Sequence, residues 1–301
     1  MGKPIKKQTY SKRLVLVSFM FLLPAFLIMT ITTIFPVFWN IYLSFHKWNV
    51  NSSAKFVGMK NYAKIFTDRA AKSAILNSCY IGVISIIICI VLGMLLALLI
   101  YRLGKRESAF FRFIFFCPSM MPMTVIGLLF VFVFAEQEGL LNNILNFIGL
   151  SSQTRGWLGG TDTVLKSIAG VAGWKFSGTS MMLFYTAMLG IPQSFFETSK
   201  LEGAHFLQDI RYIILPLMKA KIKLVLSLAF IWAFATYDIV LSMTKGGPGD
   251  YSTTVPLRMI TVGFTFNKFG YAAAMGVILT LIVGSLVIIT RFVLRGDTYE
   301  Y

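Results

Sequence analysis

The strongest constraint on this chain is a set of six long apolar segments separated by short polar stretches, at about residues 14–43, 75–101, 113–135, 168–190, 217–243 and 270–294. A helix rises about 1.5 Å per residue and the hydrocarbon layer is about 30 Å thick, so about 20 apolar residues suffice to span it. Inside lipid no water bonds the backbone N–H and C=O groups, so each segment is expected to be helical. The chain therefore reads as an all-α polytopic membrane protein with six transmembrane helices. A tail at 1–13 precedes a single membrane domain at 14–301, and no internal repeat is evident. Composition agrees, since 56% of the 301 residues are hydrophobic and only 13% are charged.

The net charge is +16. On a soluble chain this would suggest nucleic acid. Here the basic residues lie mostly between apolar segments, so membrane lipid headgroups and topology explain them and no nucleic-acid partner is expected. Lys3, Lys6, Lys7, Lys12 and Arg13 precede the first segment, which is too long for the apolar core of a signal peptide. Arg102, Lys105, Arg106 and Arg112 flank the second connection. Glu136, Glu138 and Asp162, with only Arg155 against them, mark the third. Lys200, Arg211, Lys219, Lys221 and Lys223 follow the fourth segment, and Arg291 and Arg295 close the sixth. Basic loops stay in the cytoplasm, which predicts a multi-pass membrane protein with both termini cytoplasmic. The first external loop strains this rule, because it carries Lys47, Lys55, Lys60, Lys64, Arg69 and Lys72. Cys79, Cys89 and Cys117 offer neither a disulfide framework nor metal-ligand spacing.

The longest polar interruption in the C-terminal half is SFFETSKLEGAHFLQDIRYIILP, Ser194 to Pro216, within the loop 191–216. Pro192 ends what precedes it. Ser194 and Glu197 have capping-box spacing. Gly203 supplies a permissive backbone for a bend, and Ala204 leaves that bend uncrowded. A second helical run is expected from about His205 to Ile214, stopping at Leu215–Pro216.

This pattern resembles the EAA loop of ABC importer permeases. Glu197, Gly203, Ala204, Leu215 and Pro216 match it, Thr198 and Ser199 replace two alanines, and Glu202 replaces an aspartate. The resemblance implies a coupling helix that docks on a separate ATPase subunit. Further phrases are similar to the carbohydrate branch of the family: Phe45 to Asn49, Phe56 to Phe66, Trp174 to Pro192, Met243 to Ile260 and Phe266 to Leu279. In the first external loop the family places a short helix along the membrane surface. The resemblance implies the type I importer fold and the first of two sugar permeases. Its implied partners are a second homologous permease chain, two ATPase subunits, an extracytoplasmic solute-binding protein and a carbohydrate. Gly246, Gly247, Pro248 and Asp250, in a tight external turn, are then candidates for binding-protein docking.

No G-x-x-x-x-G-K-[ST] phosphate cradle occurs; Gly104–Lys105 lacks the upstream glycine and the following hydroxyl. There is no H-E-x-x-H and no G-x-S-x-G, so no catalytic or metal-ligating set is expected. The reading is a transport subunit, with ATP and Mg held by the partner ATPase. An ion-gradient-driven secondary transporter is the alternative, and it would be signalled by more buried carboxylates, discontinuous spans and a repeat.

Polar residues inside spans are costly and point to function. Lys175 in the fourth segment and Asp238 in the fifth lie at similar depth, with Trp174, Trp232 and Tyr237 in the same layer. With Ser177 they form the candidate substrate path, in which Lys175 and Asp238 are expected to face and neutralise one another. Snorkelling to the headgroups is an equal account of Lys175, and an interfacial aromatic belt is the competing account of Trp174 and Trp232. Small residues at helical spacing, Ala169, Gly173 and Ser177 or Gly270, Ala274 and Ile278, read as packing faces.

Overall fold

The structure is a computed structural model that describes residues 12–49 and 52–293. The basic positions expected at 1–11 and Arg295 lie outside the described residues. Helix α1, Lys12–Met29, runs through a π-turn, Thr30–Ile34, into α2, Phe35–Ser44. The wide turn sits just before Pro36, which has no N–H to give; Phe35 N–H donates to the Thr30 carbonyl five residues back. Thr30 and Thr32 hydroxyls donate to the Phe26 and Ile28 carbonyls at 2.7 and 2.8 Å. The 18-residue apolar window of this element is 0% buried, as suits a lipid-facing helix.

Two short strands close the following segment. β1, His46–Lys47, pairs antiparallel with β2, Lys55–Phe56. Helix α3, Lys60–Thr67, is the short helix anticipated there. Asp68 then caps α4, Arg69–Tyr101, accepting from Ala70 N–H at 3.0 Å.

Helix α5, Lys105–Met120, and α6, Met123–Val133, form a pair bent by 98°. The helical span expected at 113–135 is therefore broken at Met121–Pro122, because a proline cannot continue the ladder and biases its predecessor to extended backbone. Helix α7, Leu140–Phe147, lies in the next connection. Asn142 organises it, donating to the Glu136 and Arg155 carbonyls at 3.1 Å each and accepting from Trp157 Nε1 at 2.8 Å.

Helix α8, Val164–Leu189, is the centre of the bundle. It packs along α4 at close range: a Cβ on Gly173 would lie 2.7 Å from Ile88 Cβ, and one on Gly93 would lie 2.7 Å from Ser180 Cβ. Ser85 Oγ donates to the Ala169 carbonyl at 3.1 Å, and Cys89 Sγ meets Ser180 Oγ at 2.9 Å. Ala169 and Gly173 belong to a small-residue face expected from sequence, whereas Ser85, Cys89, Gly93 and Ser180 were not singled out there; together they let van der Waals contact hold two helices where lipid offers no hydrophobic drive.

Beyond α8 come α9, Gln193–Leu201, α10, Phe206–Asp209, a second π-turn, Ile210–Ile214, and α11, Leu215–Leu217. The fifth apolar segment is divided into α12, Lys219–Phe234, and α13, Asp238–Met243. At its break, Ala235–Tyr237, Thr236 is buried and its carbonyl accepts from Thr254 Oγ1 at 3.1 Å. The stretch read as an external loop at 245–269 is largely folded into the bundle. It forms α14, Val255–Ile260, and a third π-turn, Thr261–Thr265. Asn77 Nδ2 donates to the Thr253 carbonyl at 2.9 Å, and Ser78 Oγ accepts from Val255 N–H at 2.8 Å. These two polar groups in the first turns of α4 could not be assigned partners from sequence. Helix α15, Phe269–Val293, completes the described chain. Its start lies against β1, where a Cβ on Gly270 would come 1.8 Å from the His46 carbonyl oxygen.

Among the described residues, three helical elements are long and apolar enough to cross a membrane alone: Leu16–Ser44, α4 and α15. The bent α5–α6 pair makes a fourth candidate. Helix α8 is more polar than these because neighbouring helices, rather than lipid, cover most of it.

Candidate functional site: a helix joint and a layer of intramembrane polar groups

The joint between α9 and α10 follows from three residues. Gly203 has φ +75°, in the left-handed region that costs an L-residue strain. Its N–H donates to the Lys200 carbonyl at 3.1 Å, and Ala204 N–H reaches back to the Ser199 carbonyl at 3.0 Å. This pair of bonds is the Schellman arrangement that closes a helix on a glycine. Nothing lies within 4 Å of a Cβ built on Gly203, so backbone conformation, not crowding, makes glycine fit here.

Two local expectations are corrected. Ser194 and Glu197 form no capping box. Pro192 is the residue before the helix, Ser194 already lies inside α9, and its carbonyl accepts from Thr198 Oγ1 at 3.0 Å. The reciprocal cap sits one helix later, where Gln208 Oε1 accepts from His205 N–H at 2.7 Å. Nor does the second run stop at Leu215–Pro216. The π-turn carries the chain through, with Leu215 N–H donating to the Ile210 carbonyl. The widened turn spares Pro216 a donor it lacks.

The joint is seated by apolar contacts. Phe196 is buried with Ile214, Met218 and Val225, and its ring is 6.2 Å from Tyr101 at the end of α4. The Arg102 guanidinium lies 4.6 Å from the Phe206 ring centre. Ser199 Oγ donates to Asp209 Oδ1 across the joint. On the open side is a groove of about 660 Å³ lined by Thr198, Ser199, Glu202, Gly203, Ala204 and Tyr212, among others. Glu197 is exposed beside it, whereas Leu215 and Pro216 lie outside its lining. Leu201, Leu207 and Tyr212 are 90, 77 and 70% exposed at this tip. The sequence reading passed over them, although bulky apolar residues in an otherwise polar loop were a visible signal of a docking face.

The intramembrane layer does not form one cluster. Lys175 is buried, and its Nζ donates to the Ser119 carbonyl at 3.4 Å, beside the α5–α6 break. The expected pair with Asp238 is not made. Among the described residues the one ion pair is Arg155–Asp162, at 4.0 Å. Asp238 is exposed at the start of α13, on the far side of the break that sequence did not anticipate. Trp232 stacks on Phe176 at 5.3 Å and 11°, and Lys175 Nζ lies 4.8 Å from the same Phe176 ring. Ser177 donates to the Trp174 carbonyl at 2.6 Å, so its hydroxyl is spent on its own helix. Tyr237 packs in the apolar cluster around Ile239 and Val240. Trp174 belongs elsewhere: with Phe130, Phe134, Trp157 and Lys166 it lines a separate cavity of about 440 Å³.

The turn after α13 is built as expected. Gly246 and Gly249 have φ of +91° and +59°, and Ser252 Oγ donates to the Gly247 carbonyl at 2.6 Å. Gly246 is buried beneath the turn, whereas Gly249 and Asp250 are exposed at its tip.

The chain as a whole has counterparts among known proteins. The family model described as "Binding-protein-dependent transport system inner membrane component" matches residues 89–296. The chain belongs to that family. This permease is 33% identical over 273 residues to "Probable ABC transporter permease protein YurN" of Bacillus subtilis, covering 90% of this chain and 93% of that one. It is 27% identical to "Arabinooligosaccharides transport system permease protein AraP" of Halalkalibacterium halodurans, covering 93% and 88% of the two chains. Among solved structures, a chain of a "bacterial alginate ABC transporter in complex with alginate pentasaccharide-bound periplasmic protein" superposes with TM-score 0.82 at 19% identity, covering 96% and 97%. The permease thus has the type I ABC importer permease fold and is a multi-pass inner-membrane transport subunit. The broken spans, which sequence reasoning had tied to a secondary transporter, occur here within that importer fold.

Proposed function

We propose that this permease forms half of the translocation path of an ATP-driven, binding-protein-dependent importer of a sugar or oligosaccharide. A second homologous permease chain supplies the other half, two ATPase subunits carry ATP and Mg, and an extracytoplasmic solute-binding protein delivers the cargo. The observation that carries the reading is the joint itself. A glycine-closed pair of short helices is anchored on Phe196 and presents Leu201, Leu207 and Tyr212 beside an open groove. A rigid, apolar-tipped projection of this kind fits a recess on a partner and transmits displacement to the helices behind it. With the joint placed in the cytoplasm, both termini fall on that side and the Gly246–Asp250 turn faces outward toward the binding protein. A carbohydrate cargo is supported by the relative named for arabinooligosaccharides.

Uptake of labelled oligosaccharides by cells with and without this chain tests the proposal. Uptake is expected to need the chain, to fail when ATP is depleted and to survive a protonophore with ATP maintained. Uptake that instead follows the ion gradient would favour a secondary transporter.

A further inference from the structure

Three of the six basic residues that strained the positive-inside reading line one cavity with a fourth lysine. Lys47, Lys60, Lys64 and Lys268 line one cavity of about 480 Å³, with Trp48 and Tyr271 among its walls. It lies where the end of α2, the β1–β2 ladder and α3 meet the start of α15. No carboxylate lines it. Asp68 is engaged by one of the cavity's wall residues: its Oδ2 accepts from the Tyr271 hydroxyl at 2.9 Å. Lys64 Nζ lies 5.4 Å from the Tyr271 ring and Lys268 Nζ 5.8 Å from the Phe266 ring. The frame is fixed by uncharged bonds: Asn61 Nδ2 donates to the Ser44 and His46 carbonyls at 2.8 and 3.0 Å, and Trp48 packs 5.2 Å from Phe269. Four exposed lysines thus share one space, and among the described residues no carboxylate lines it.

The neighbouring surface says what fills it. Phe56, Met59 and Phe66 are 73, 63 and 63% exposed. Met59, Ala63 and Phe66 are spaced to make one apolar face of α3, and Lys60 and Lys64 run along the edge of that face. An apolar face bordered by lysines is the pattern of a helix lying in the membrane interface, with acyl chains below and headgroups beside it. The adjoining α2 belongs to the span whose apolar window is wholly exposed. We infer that this cavity binds the phosphate headgroup of an anionic phospholipid and so fixes the first two structural elements against α15. The orientation proposed above places that lipid in the outer leaflet, but the binding itself does not depend on the orientation.

The test uses the full chain purified in mild detergent and offered equal amounts of phosphatidylglycerol and phosphatidylcholine, with retained lipid counted by native mass spectrometry. Phosphatidylglycerol is expected to be kept in preference. A lysine near an anionic headgroup contributes about fivefold in affinity, so Lys47→Gln, Lys60→Gln, Lys64→Gln and Lys268→Gln together should reduce retention at least roughly tenfold. Lys55→Gln with Lys72→Gln, outside the cavity, should not. Replacing the same four lysines by arginine should keep retention, which separates lost binding from failure to fold. Glycerol 3-phosphate should not displace the lipid; displacement would mean that free phosphate suffices, and would overturn the lipid assignment. Equal retention of both lipids, or unchanged retention in the quadruple glutamine variant, would overturn the proposal. So would a quadruple variant that keeps its lipid but loses only its response to the binding protein, since the cavity would then be a protein dock.

Discussion

Ser119 and Lys175 bind each other twice across the α5–α8 contact. The Ser119 hydroxyl donates to the Lys175 carbonyl at 2.6 Å, and the Lys175 ammonium donates back to the Ser119 carbonyl at 3.4 Å. Ser119 is next to last in α5, so its carbonyl is one that the broken helix leaves without an intrahelical donor. The buried lysine is thus employed on the α5–α6 break and not on Asp238.

A double-mutant cycle checks this. Ser119→Ala and Lys175→Met remove parts of one small network, so their effects on unfolding free energy in detergent should couple by about 0.5–3 kcal/mol. Lys175→Met and Asp238→Asn share no partner and should add to within about 0.5 kcal/mol. Strong coupling in the second pair would show that Lys175 and Asp238 meet in another state of the transport cycle.

Gly178 is the tightest point of the same contact. A Cβ there would lie 2.3 Å from the Phe115 carbonyl oxygen and 2.5 Å from Ser119 Oγ. Gly178→Ala must push α5 away from α8 and should cost about 1–3 kcal/mol, as overpacking does. Gly284→Ala, in α15 with nothing within 4 Å, is the control and should be neutral or stabilising by up to about 1 kcal/mol. Melting temperatures of the two purified variants give the comparison, and equal values would contradict the close packing.

Gly203 separates backbone strain from bulk. With φ +75° and open space around it, Gly203→Asn should retain most coupling, because asparagine tolerates the left-handed region. Gly203→Val should lose it, at a backbone cost of at least about 1–2 kcal/mol. Both variants should reach the membrane at normal levels. ATPase binding and uptake are the readouts, and normal uptake by Gly203→Val would mean that the joint does not need this conformation.

Asp68 gives the chain an acid-sensitive tie between α4 and α15. Burial alone would push its carboxyl up. The Tyr271 hydroxyl, the Ala70 N–H, the Arg258 charge and the Ala71 N–H outweigh that and hold it below its ordinary value of 3.8. A lowered folded-state pKa contributes stability above the ordinary value, and that contribution is lost as pH falls through the lowered one. At neutral pH Tyr271→Phe should therefore melt below the parent chain. The gap should narrow as pH drops below 3.8, where the parent loses the same tie. A gap independent of pH would show that Tyr271 acts through packing alone.

The joint shows how far local reading goes. Gly203 and Ala204 announced a bend, and the Schellman bonds that make it are local, between residues three and five apart. The neighbouring capping box failed because Pro192, not Ser194, occupies the last non-helical position, so the hydroxyl that was to cap α9 lies already within it. Spacing alone cannot set that register.

The sequence determined that the chain is a bundle of membrane helices with a glycine-jointed loop, because apolar length, proline and left-handed backbone act within one segment. It also marked Lys175 and Asp238 as unusual, since a charge in an apolar run is visible without neighbours. Only the tertiary structure decided what those charges meet. The breaks at Met121–Pro122 and Ala235–Tyr237 turn the following residues in directions that depth along a straight helix does not give. The same holds for the four lysines around Trp48 and Tyr271. They are 221 positions apart at their extremes, from Lys47 to Lys268, and nothing in their local sequence records that α2, α3 and α15 end side by side. Partner choice for a polar group is a matter of distance in space, and in this chain that distance is set by helix packing between segments far apart in the sequence.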